Sequence, residues 1–263
     1  MIKQRWIASV FCYTKFMKIL LTGHKGYLGS RFYEKHSTDY EIVGYDLVEG
    51  DDILDYENLK QKMFGCEQVV HLAAIPKPVE GKSFDDYFRT NVEGTKNIAQ
   101  AAEELGISRV VYASSTTIYG IEVGIPFATP ILENQPFVSQ YLSSKDLSCR
   151  DVDISYHISK VMAEQVMAWY GLNKKLQTIC LRFGPIGKVF LGTSVSDNNA
   201  VQAIDLALKS GKEFWYEAFS IVDDIEHIDT SKAKKELSYS PEDPNYPPEL
   251  IKSTLADKTT LTA

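Results

Sequence analysis

Three glycines that directly follow a short apolar run constrain the fold of this chain more than any other feature. The run KILLT at 18–22 is typical of a strand buried inside a parallel sheet. Gly23, Gly26 and Gly29 come next, with two residues between neighbours, and a helix is predicted directly after them. The first glycine permits a tight turn, the second allows close approach to the backbone, and the third lets the helix pack closely. The pattern therefore predicts the first half of a βαβ unit.

The remaining sequence alternates predicted strands with predicted helices. Strands are predicted at 41–46, 68–72, 109–113 and 176–182, and helices at 30–35, 95–105, 161–170, 200–208 and 229–237. Such alternation produces right-handed crossovers and a parallel sheet with both faces covered. We therefore predict an α/β fold, a Rossmann-type doubly wound parallel sheet with a small, reduced C-terminal part. Ligands of such sheets bind beyond the carboxyl ends of the strands, where Asp46, Ser115 and the stretch after Arg182 are expected.

An acidic residue, Asp46, ends the second predicted strand, seventeen residues after Gly29. An acid at this place accepts hydrogen bonds from the ribose hydroxyls of a dinucleotide, whose pyrophosphate lies at the helix N terminus. The same carboxylate repels a 2′-phosphate, which favours NAD over NADP. Lys25, inside the glycine turn, is a cation that could offset that repulsion. Spacing alone therefore predicts a dinucleotide-binding protein, with NAD as the preferred cofactor.

Composition excludes several other classes of protein. The formal charge of −7 argues against a nucleic-acid surface, which needs a basic stripe. Four scattered cysteines without a CxxC pair fit reduced thiols in a cytoplasmic protein, and they favour neither a metal site nor a disulfide framework. No apolar run approaches the roughly 20 residues of a membrane-spanning helix. We expect no nucleic acid, membrane or metal among the partners.

The glycine turn, the acid and a later Tyr-x-x-x-Lys pattern together resemble the extended short-chain dehydrogenase/reductase family, also called the NAD-dependent epimerase/dehydratase family. The likeness runs from Met17 to about Gly187 and extends to GDDILD at 50–55, HLAA at 71–74, NVEGT at 91–95 and SSTTIYG at 114–120. The resemblance implies an enzyme that transfers a hydride. It also implies cofactor contacts at Gly23, Lys25, Gly26, Tyr27, Leu28, Gly29, Asp46, Asp52, Ile53, Leu72, Ala73, Ala74, Asn91, Tyr156, Lys160 and Pro185.

Two Tyr-x-x-Ser-Lys strings compete for the catalytic place, one from Tyr141 to Lys145 and one from Tyr156 to Lys160. Tyr141 lies nearer the family's usual spacing from the serine. The residues after Lys160, VMAEQVMAWY, nevertheless form an apolar-periodic helix, whereas those after Lys145 lack such periodicity. The tyrosine and lysine must share one helix face, so we predict Tyr156 and Lys160.

This choice sets the predicted domain organisation. Residues 1–16 are an extension, for which a signal peptide is the less favoured reading because the apolar stretch is short. Residues 17–182 form the NAD-binding domain, with an insertion at about 121–155. Residues 183–263 form a small substrate-binding region and a tail.

The resemblance implies the catalytic roles. Tyr156 is the general acid or base toward a substrate hydroxyl, and Ser115 holds the same oxygen. The usual pKa of a tyrosine, near 10, is too high for this task, so the Lys160 ammonium should lower it. Thr116, Thr117 and Arg182 are predicted beside the substrate.

The exact reaction stays open at this point. Family dehydratases carry Asp-Glu where this chain has Thr116 and Thr117, which disfavours a dehydratase. The leading prediction is a 4-epimerase-like enzyme that acts on a nucleotide sugar. A dehydrogenase of a free sugar or uronic acid is the first alternative, because only sixteen residues, 184–199, lie between Phe183 and the next predicted helix. A non-catalytic NAD(P)-binding sensor is the second. A homodimer is implied by resemblance alone.

Overall fold

The computed structural model describes residues 16–120, 129–141, 151–187, 193–223 and 227–242. Four parts of the chain that the predictions cover lie outside the described residues: residues 1–15 of the predicted extension, 121–128 and 142–150 of the predicted insertion, and the tail from 243.

Six parallel strands form one sheet in the order β2-β1-β3-β4-β5-β6. The strands are β1 (Lys18–Thr22), β2 (Glu41–Tyr45), β3 (Gln68–His71), β4 (Arg109–Ser115), β5 (Gln177–Phe183) and β6 (Glu217–Ile221). The chain runs outward from β1 to β2 and then crosses back to β3 on the other side of β1. That reversal is the point at which open α/β sheets bind ligands. The predicted fold class is confirmed, although β6 is a strand that the sequence patterns do not predict.

Helices cover both faces of the sheet. They are α1 (Tyr27–His36), α2 (Tyr56–Met63), α3 (Phe84–Tyr87), α4 (Gly94–Leu105), α5 (Val138–Tyr141), α6 (Asp151–Leu172), α7 (Asp197–Lys209) and α8 (Ser231–Leu237). A π-helical segment, Phe88–Glu93, joins α3 to α4, and 3₁₀ turns occupy Leu47–Glu49 and Thr116–Tyr119. Within the described ranges, no helix combines the length and apolarity needed to cross a bilayer.

Two hydrophobic cores explain why the strand sequences are apolar at nearly every position. In β1, Ile19 and Leu21 pack into the core beneath α1 and α7, whereas Leu20 packs into the core beneath α2, α4 and α6. All three side chains are fully buried. Successive side chains of a strand point to opposite faces, so a strand covered on both sides needs a continuous apolar run.

The residues after β5 are built into the same sheet. β6 pairs with β5, and α7 packs against α1. The buried side chain of Arg109, at the start of β4, donates to the carbonyls of Ala207 (2.9 Å), Ser210 (2.8 Å) and Lys212 (2.7 Å). These bonds satisfy carbonyls at and beyond the C-terminal end of α7, which have no partner within the helix.

Candidate active site

The glycine turn has the geometry that its spacing predicts. Gly23 directly follows β1 with a φ of +71°, and a Cβ there would lie 2.8 Å from the Ala73 nitrogen. A Cβ on Gly29 would lie 2.1 Å from the Gly23 carbonyl oxygen, so the start of α1 packs directly on the turn. A Cβ on Gly26 would meet only that same oxygen, at 3.1 Å. The outer side of the turn at Gly26 is therefore open, as a cradle for a phosphate group requires.

The Asp46 carboxylate is fixed beside this turn by two backbone donors. Its Oδ2 accepts a hydrogen bond from the Lys25 N–H at 2.9 Å, and its Oδ1 accepts one from the Val48 N–H at 3.1 Å. These bonds orient an acceptor-only group whose remaining lone pairs can accept ribose hydroxyls. The open side of the turn fits the phosphates of a bound dinucleotide, and the oriented Asp46 carboxylate fits its ribose.

The predicted adenine contact, Asp52 with Ile53, lies at the start of α4. The Ile53 side chain fills the space beside Gly94, where a Cβ would come within 2.4 Å of it. The Ile53 carbonyl accepts a hydrogen bond from the Asn97 side chain at 3.1 Å, and Asp52 Oδ1 accepts one from the Leu54 N–H at 2.9 Å. The segment is thus held rigidly between β2 and α4.

His71 is a structural residue at the end of β3. Its ring nitrogens lie 2.8 Å from Thr22 Oγ1 and 3.0 Å from Thr95 Oγ1. Burial, with a smaller contribution from the charge of Lys160, lowers the pKa of His71 to about 3. The Leu72 and Ala73 N–H groups both donate to Thr22 Oγ1 at 3.2 Å. This arrangement holds the predicted cofactor-lining segment Leu72–Ala74, which is half-buried, against the glycine turn.

Asn91 links the segment after β3 to α6, the helix that carries Tyr156. It lies in the π-helical segment and is 1% exposed. Its Oδ1 accepts from the Ile75 N–H at 2.8 Å, and its Nδ2 donates to the Ile75 carbonyl at 3.2 Å and to Ser159 Oγ at 2.9 Å. Ser159 Oγ in turn donates to the Tyr156 carbonyl at 2.7 Å. The amide is thus engaged by protein groups, so Asn91 positions other residues. π-Bulges of this kind are frequent at functional sites.

The three predicted catalytic residues come from β4 and α6. Ser115 ends β4, and its Oγ accepts a hydrogen bond from the Thr117 N–H at 3.2 Å. Tyr156 and Lys160 lie one turn apart on α6, which packs against the 3₁₀ turn that begins at Thr116. Lys160 Nζ donates to the Ala113 carbonyl at 3.0 Å, two residues before Ser115. The lysine therefore ties the tyrosine's helix to the serine's strand.

The surroundings of Tyr156 and Lys160 are largely apolar. Tyr156 is 5% exposed and packs in a small cluster with Tyr87 and Val152, its ring centroid 6.2 Å from that of Tyr87. The Lys160 ammonium lies 5.3 Å from the centroid of the Tyr112 ring. Burial lowers the pKa of Lys160 to about 8, against the opposing effect of the Glu164 carboxylate. An ammonium in such a place still carries its charge near neutral pH.

The competing tyrosine has a different setting. Tyr141 ends the four-residue helix α5, and Lys145 lies outside the described residues. α6 begins at Asp151, so the last residues of the predicted insertion belong to the helix that carries Tyr156.

The predicted substrate residues divide into two groups. The hydroxyl oxygens of Thr116 and Thr117 are buried and have no hydrogen-bond partner within the described part of the chain. Arg182 is instead engaged by protein groups. Its Nε lies 3.1 Å from each carboxylate oxygen of Glu164, and its Nη1 donates to the Tyr119 hydroxyl (2.8 Å) and the Glu133 carbonyl (2.7 Å). These contacts give Arg182 a structural role.

The loop after β5 connects the glycine turn to the C-terminal part. Pro185 accepts a hydrogen bond from the Val195 N–H at 3.1 Å, and a Cβ on Gly187 would lie 2.3 Å from the Tyr27 hydroxyl. That hydroxyl donates to the Asp197 carboxylate at 3.0 Å, and Arg31 pairs with the same carboxylate. Tyr27 is 53% exposed, whereas Leu28 is buried in the core. The starts of α1 and α7 are thus joined beside Pro185.

Some residues of the site have no signal in the sequence patterns. Ser114 donates to Glu164 Oε2, and the Tyr216 hydroxyl donates to Glu164 Oε1 at 3.1 Å. Ser114 begins the SSTTIYG motif, but Tyr216 is distant in sequence from Glu164 and belongs to no motif. Among the described residues, no group of His, Cys, Asp or Glu side chains is arranged to hold a metal ion.

A doubly wound sheet with an open glycine turn, an oriented acid and a Tyr–Lys helix at one edge defines a dinucleotide-binding α/β protein. The sequence profile of the NAD dependent epimerase/dehydratase family matches residues 19–189, and the chain belongs to this family. The match confirms the predicted family. It also confirms the predicted cofactor, NAD, and the prediction that the protein is an enzyme.

Known proteins similar to this chain include epimerases and dehydrogenases. The N-acetyl-alpha-D-glucosaminyl-diphospho-ditrans,octacis-undecaprenol 4-epimerase of Escherichia coli O157:H7 is 29% identical over 163 residues, 58% of this chain and 43% of that protein. The chain spans less than half the length of this relative and of a UDP-glucose 4-epimerase from Bacillus subtilis, of which 42% is covered.

Two solved structures share the fold. The uronate dehydrogenase from Agrobacterium tumefaciens has a TM-score of 0.71 and 21% identity, over 92% of this chain and 89% of that one. The UDP-glucuronic acid 4-epimerase from Bacillus cereus, in complex with NAD, has a TM-score of 0.68 and 20% identity, over 86% and 92%. Likeness at these identities establishes the fold.

Proposed function

We propose that this protein is an NAD-dependent oxidoreductase that acts at a secondary alcohol of a sugar, with Ser115, Tyr156 and Lys160 as its catalytic residues. The observation that carries the proposal is the Lys160 bridge, which joins the helix of Tyr156 to the strand of Ser115. NAD, when bound, supplies the hydride acceptor and donor. The residues that would bind NAD are those of the glycine turn, Asp46, Asp52–Ile53, Leu72–Ala74 and Pro185.

The side chains divide the proton chemistry among them. Tyr156 accepts the proton of the substrate hydroxyl while the carbon that bears this hydroxyl loses a hydride. In the reverse direction Tyr156 returns the proton. The Lys160 ammonium favours the ionised phenol by its positive charge. Ser115 donates a hydrogen bond to the same substrate oxygen, and Thr116 and Thr117 offer hydroxyls to neighbouring substrate groups. The apolar cluster around Tyr156 excludes water and strengthens these electrostatic interactions.

For the finer reaction, the structure favours a dehydrogenase of a free sugar or sugar acid over the nucleotide-sugar 4-epimerase. Gly184 packs against the Thr193 carbonyl, where a Cβ would lie 1.6 Å from the oxygen, and the Gly187 N–H donates to the Val195 carbonyl at 2.8 Å. The segment after β5 thus folds back on itself, and the described residues after it join the sheet. The described residues of this region therefore offer little surface for binding the nucleotide part of a nucleotide sugar.

The epimerase remains the second candidate, because the similar proteins include enzymes named as UDP-sugar epimerases. A homodimer also remains a proposal that rests on resemblance alone.

One assay tests the reaction. The purified protein is given NAD with free sugars and uronic acids in one panel and UDP- and GDP-sugars in another, and absorbance at 340 nm and product stereochemistry are followed. Net NADH from a free sugar supports the dehydrogenase, whereas a new epimer without net NADH supports the epimerase. If the protein binds NAD but yields neither net NADH nor a new epimer, the result favours a non-catalytic NAD(P)-binding sensor.

A pair of variants tests the residues. Tyr156→Phe should lower kcat by about 100-fold or more while leaving NAD affinity nearly intact, because only the proton-transfer group is removed. Tyr141→Phe is the matched control and should keep wild-type activity. The reverse pattern would transfer the catalytic role to Tyr141.

A further inference from the structure

A second acid, Glu49, lies three residues after Asp46 and contacts the side chains of the glycine turn. It ends the 3₁₀ turn that begins after Asp46. Its Oε1 lies 2.9 Å from Lys25 Nζ and its Oε2 lies 3.3 Å from His24 Nε2. One carboxylate thus binds the side chains of both residues between Gly23 and Gly26.

We propose that Glu49 is a determinant of cofactor choice, which by pairing with Lys25 keeps this lysine from binding the 2′-phosphate of NADP. The inference rests on the proposed function, since it takes the glycine turn as the dinucleotide site. Glu49 adds to Asp46, which repels a 2′-phosphate but does not neutralise the charge of the Lys25 side chain.

The position of Lys25 supports this role. Its backbone N–H donates to Asp46, so the lysine is held beside the carboxylate that faces the ribose. It is the cation that the glycine turn itself provides, and a 2′-phosphate next to Asp46 would need such a cation. The hydrogen bond and charge of Glu49 raise the pKa of Lys25, so the pair is ionised at neutral pH. With Glu49 present, the net charge of the pair is zero.

The pairing geometry is fixed by the packing of His24. The His24 ring is 7% exposed and lies over Gly44 of β2, where a Cβ would come within 2.7 Å of it. The absence of a side chain at Gly44 therefore makes room for the ring. Because His24 Nε2 also contacts Glu49, the buried ring holds the acid within reach of Lys25.

The test is the affinity for each dinucleotide, measured by isothermal titration calorimetry at low salt. Glu49→Gln removes the charge and keeps the shape, so Lys25 becomes a free cation. We expect the Kd for NADP to fall about tenfold, because removing one unit charge beside another at an exposed site has an effect of this size. The decrease in Kd should be smaller at high salt, which screens the interaction. The Kd for NAD should stay within about twofold, because NAD carries no 2′-phosphate. The double variant Glu49→Gln with Lys25→Met should lose the gain.

Glu41→Gln is the matched control. Glu41 pairs with Lys18 at 2.8 Å at the opposite end of β2. The Glu41→Gln variant therefore makes the same change in net charge far from the glycine turn. An equal gain for NADP in this variant, or no gain in Glu49→Gln, would overturn the inference while leaving NAD binding intact. A wild-type chain that binds neither dinucleotide would instead overturn the proposed function, and the inference with it.

Discussion

Glu164 and Arg182 form a buried ion pair between α6 and β5, with Arg182 Nε 3.1 Å from both carboxylate oxygens. Neither side chain exceeds 3% exposure. Burial opposes the charge on Arg182, but the Glu164 carboxylate more than compensates and raises the pKa of Arg182 above its usual value. Glu164 lies one turn after Lys160 on the same helix, so the pair fixes the distance of α6 from the sheet.

Removing one partner of this pair should destabilise the fold strongly. Arg182→Met is expected to lower the free energy of unfolding by about 3–5 kcal/mol, because it leaves the Glu164 carboxylate buried without its counter-charge. Urea unfolding measures this change. Adding Glu164→Gln to Arg182→Met should recover part of the loss, since no charge is then left buried. Lys232→Met breaks the part-exposed pair with Glu217 and should cost less than about 1 kcal/mol. Equal losses for Arg182→Met and Lys232→Met would contradict the expectation.

The elements that the sequence predicts well are those whose pattern follows from local burial. β1 is recognisable because every residue after Lys18 is buried, which demands a continuous apolar run. β6 is missed because its run, EAFSI, contains Ser220, which is fully buried. The Ser220 N–H is satisfied by the Glu133 carboxylate at 2.9 Å, a partner 87 residues away. Nothing in a five-residue window reveals such a partner.

The same limit applies to the site. The glycine turn and Asp46 follow from spacing, because their geometry is local. Asn91 and Arg182 are recognised as important residues, yet their partners are set by tertiary packing. Asn91 binds Ile75 and Ser159 rather than standing free for a ligand, and Arg182 binds Glu164 rather than opening toward a substrate.

Lys160 should make the protein less stable at neutral pH than at alkaline pH. Burial lowers the pKa of Lys160 from 10.5 to about 8, so between these values the unfolded chain binds more protons than the folded chain. Its contribution to stability therefore rises with pH across this window, and the cost of the buried ammonium is fully present below pH 8. Lys160→Met should be more stable than wild type at pH 7 by about 3 kcal/mol, less any loss of the bond to Ala113.

The measurement is urea unfolding of both proteins at pH 7 and pH 10, where the advantage of Lys160→Met should shrink. Comparing the two proteins removes the effect of all other titrating groups. A Lys160→Met variant that is less stable than wild type at pH 7 would mean that the ammonium contributes net stability.

Two glycines of the same turn should separate folding from cofactor binding. Gly29→Ala places a Cβ 2.1 Å from the Gly23 carbonyl oxygen, a backbone atom that cannot move aside cheaply, so we expect a loss of about 2–4 kcal/mol of stability. Gly26→Ala meets the same oxygen at 3.1 Å, which a shift of a few tenths of an ångström relieves. The added methyl group projects into the open side of the turn, so this variant should stay folded and bind NAD at least tenfold more weakly. Thermal unfolding and calorimetric titration with NAD measure the two effects. If Gly26→Ala bound NAD as tightly as wild type, the open side of the turn would not be the phosphate site.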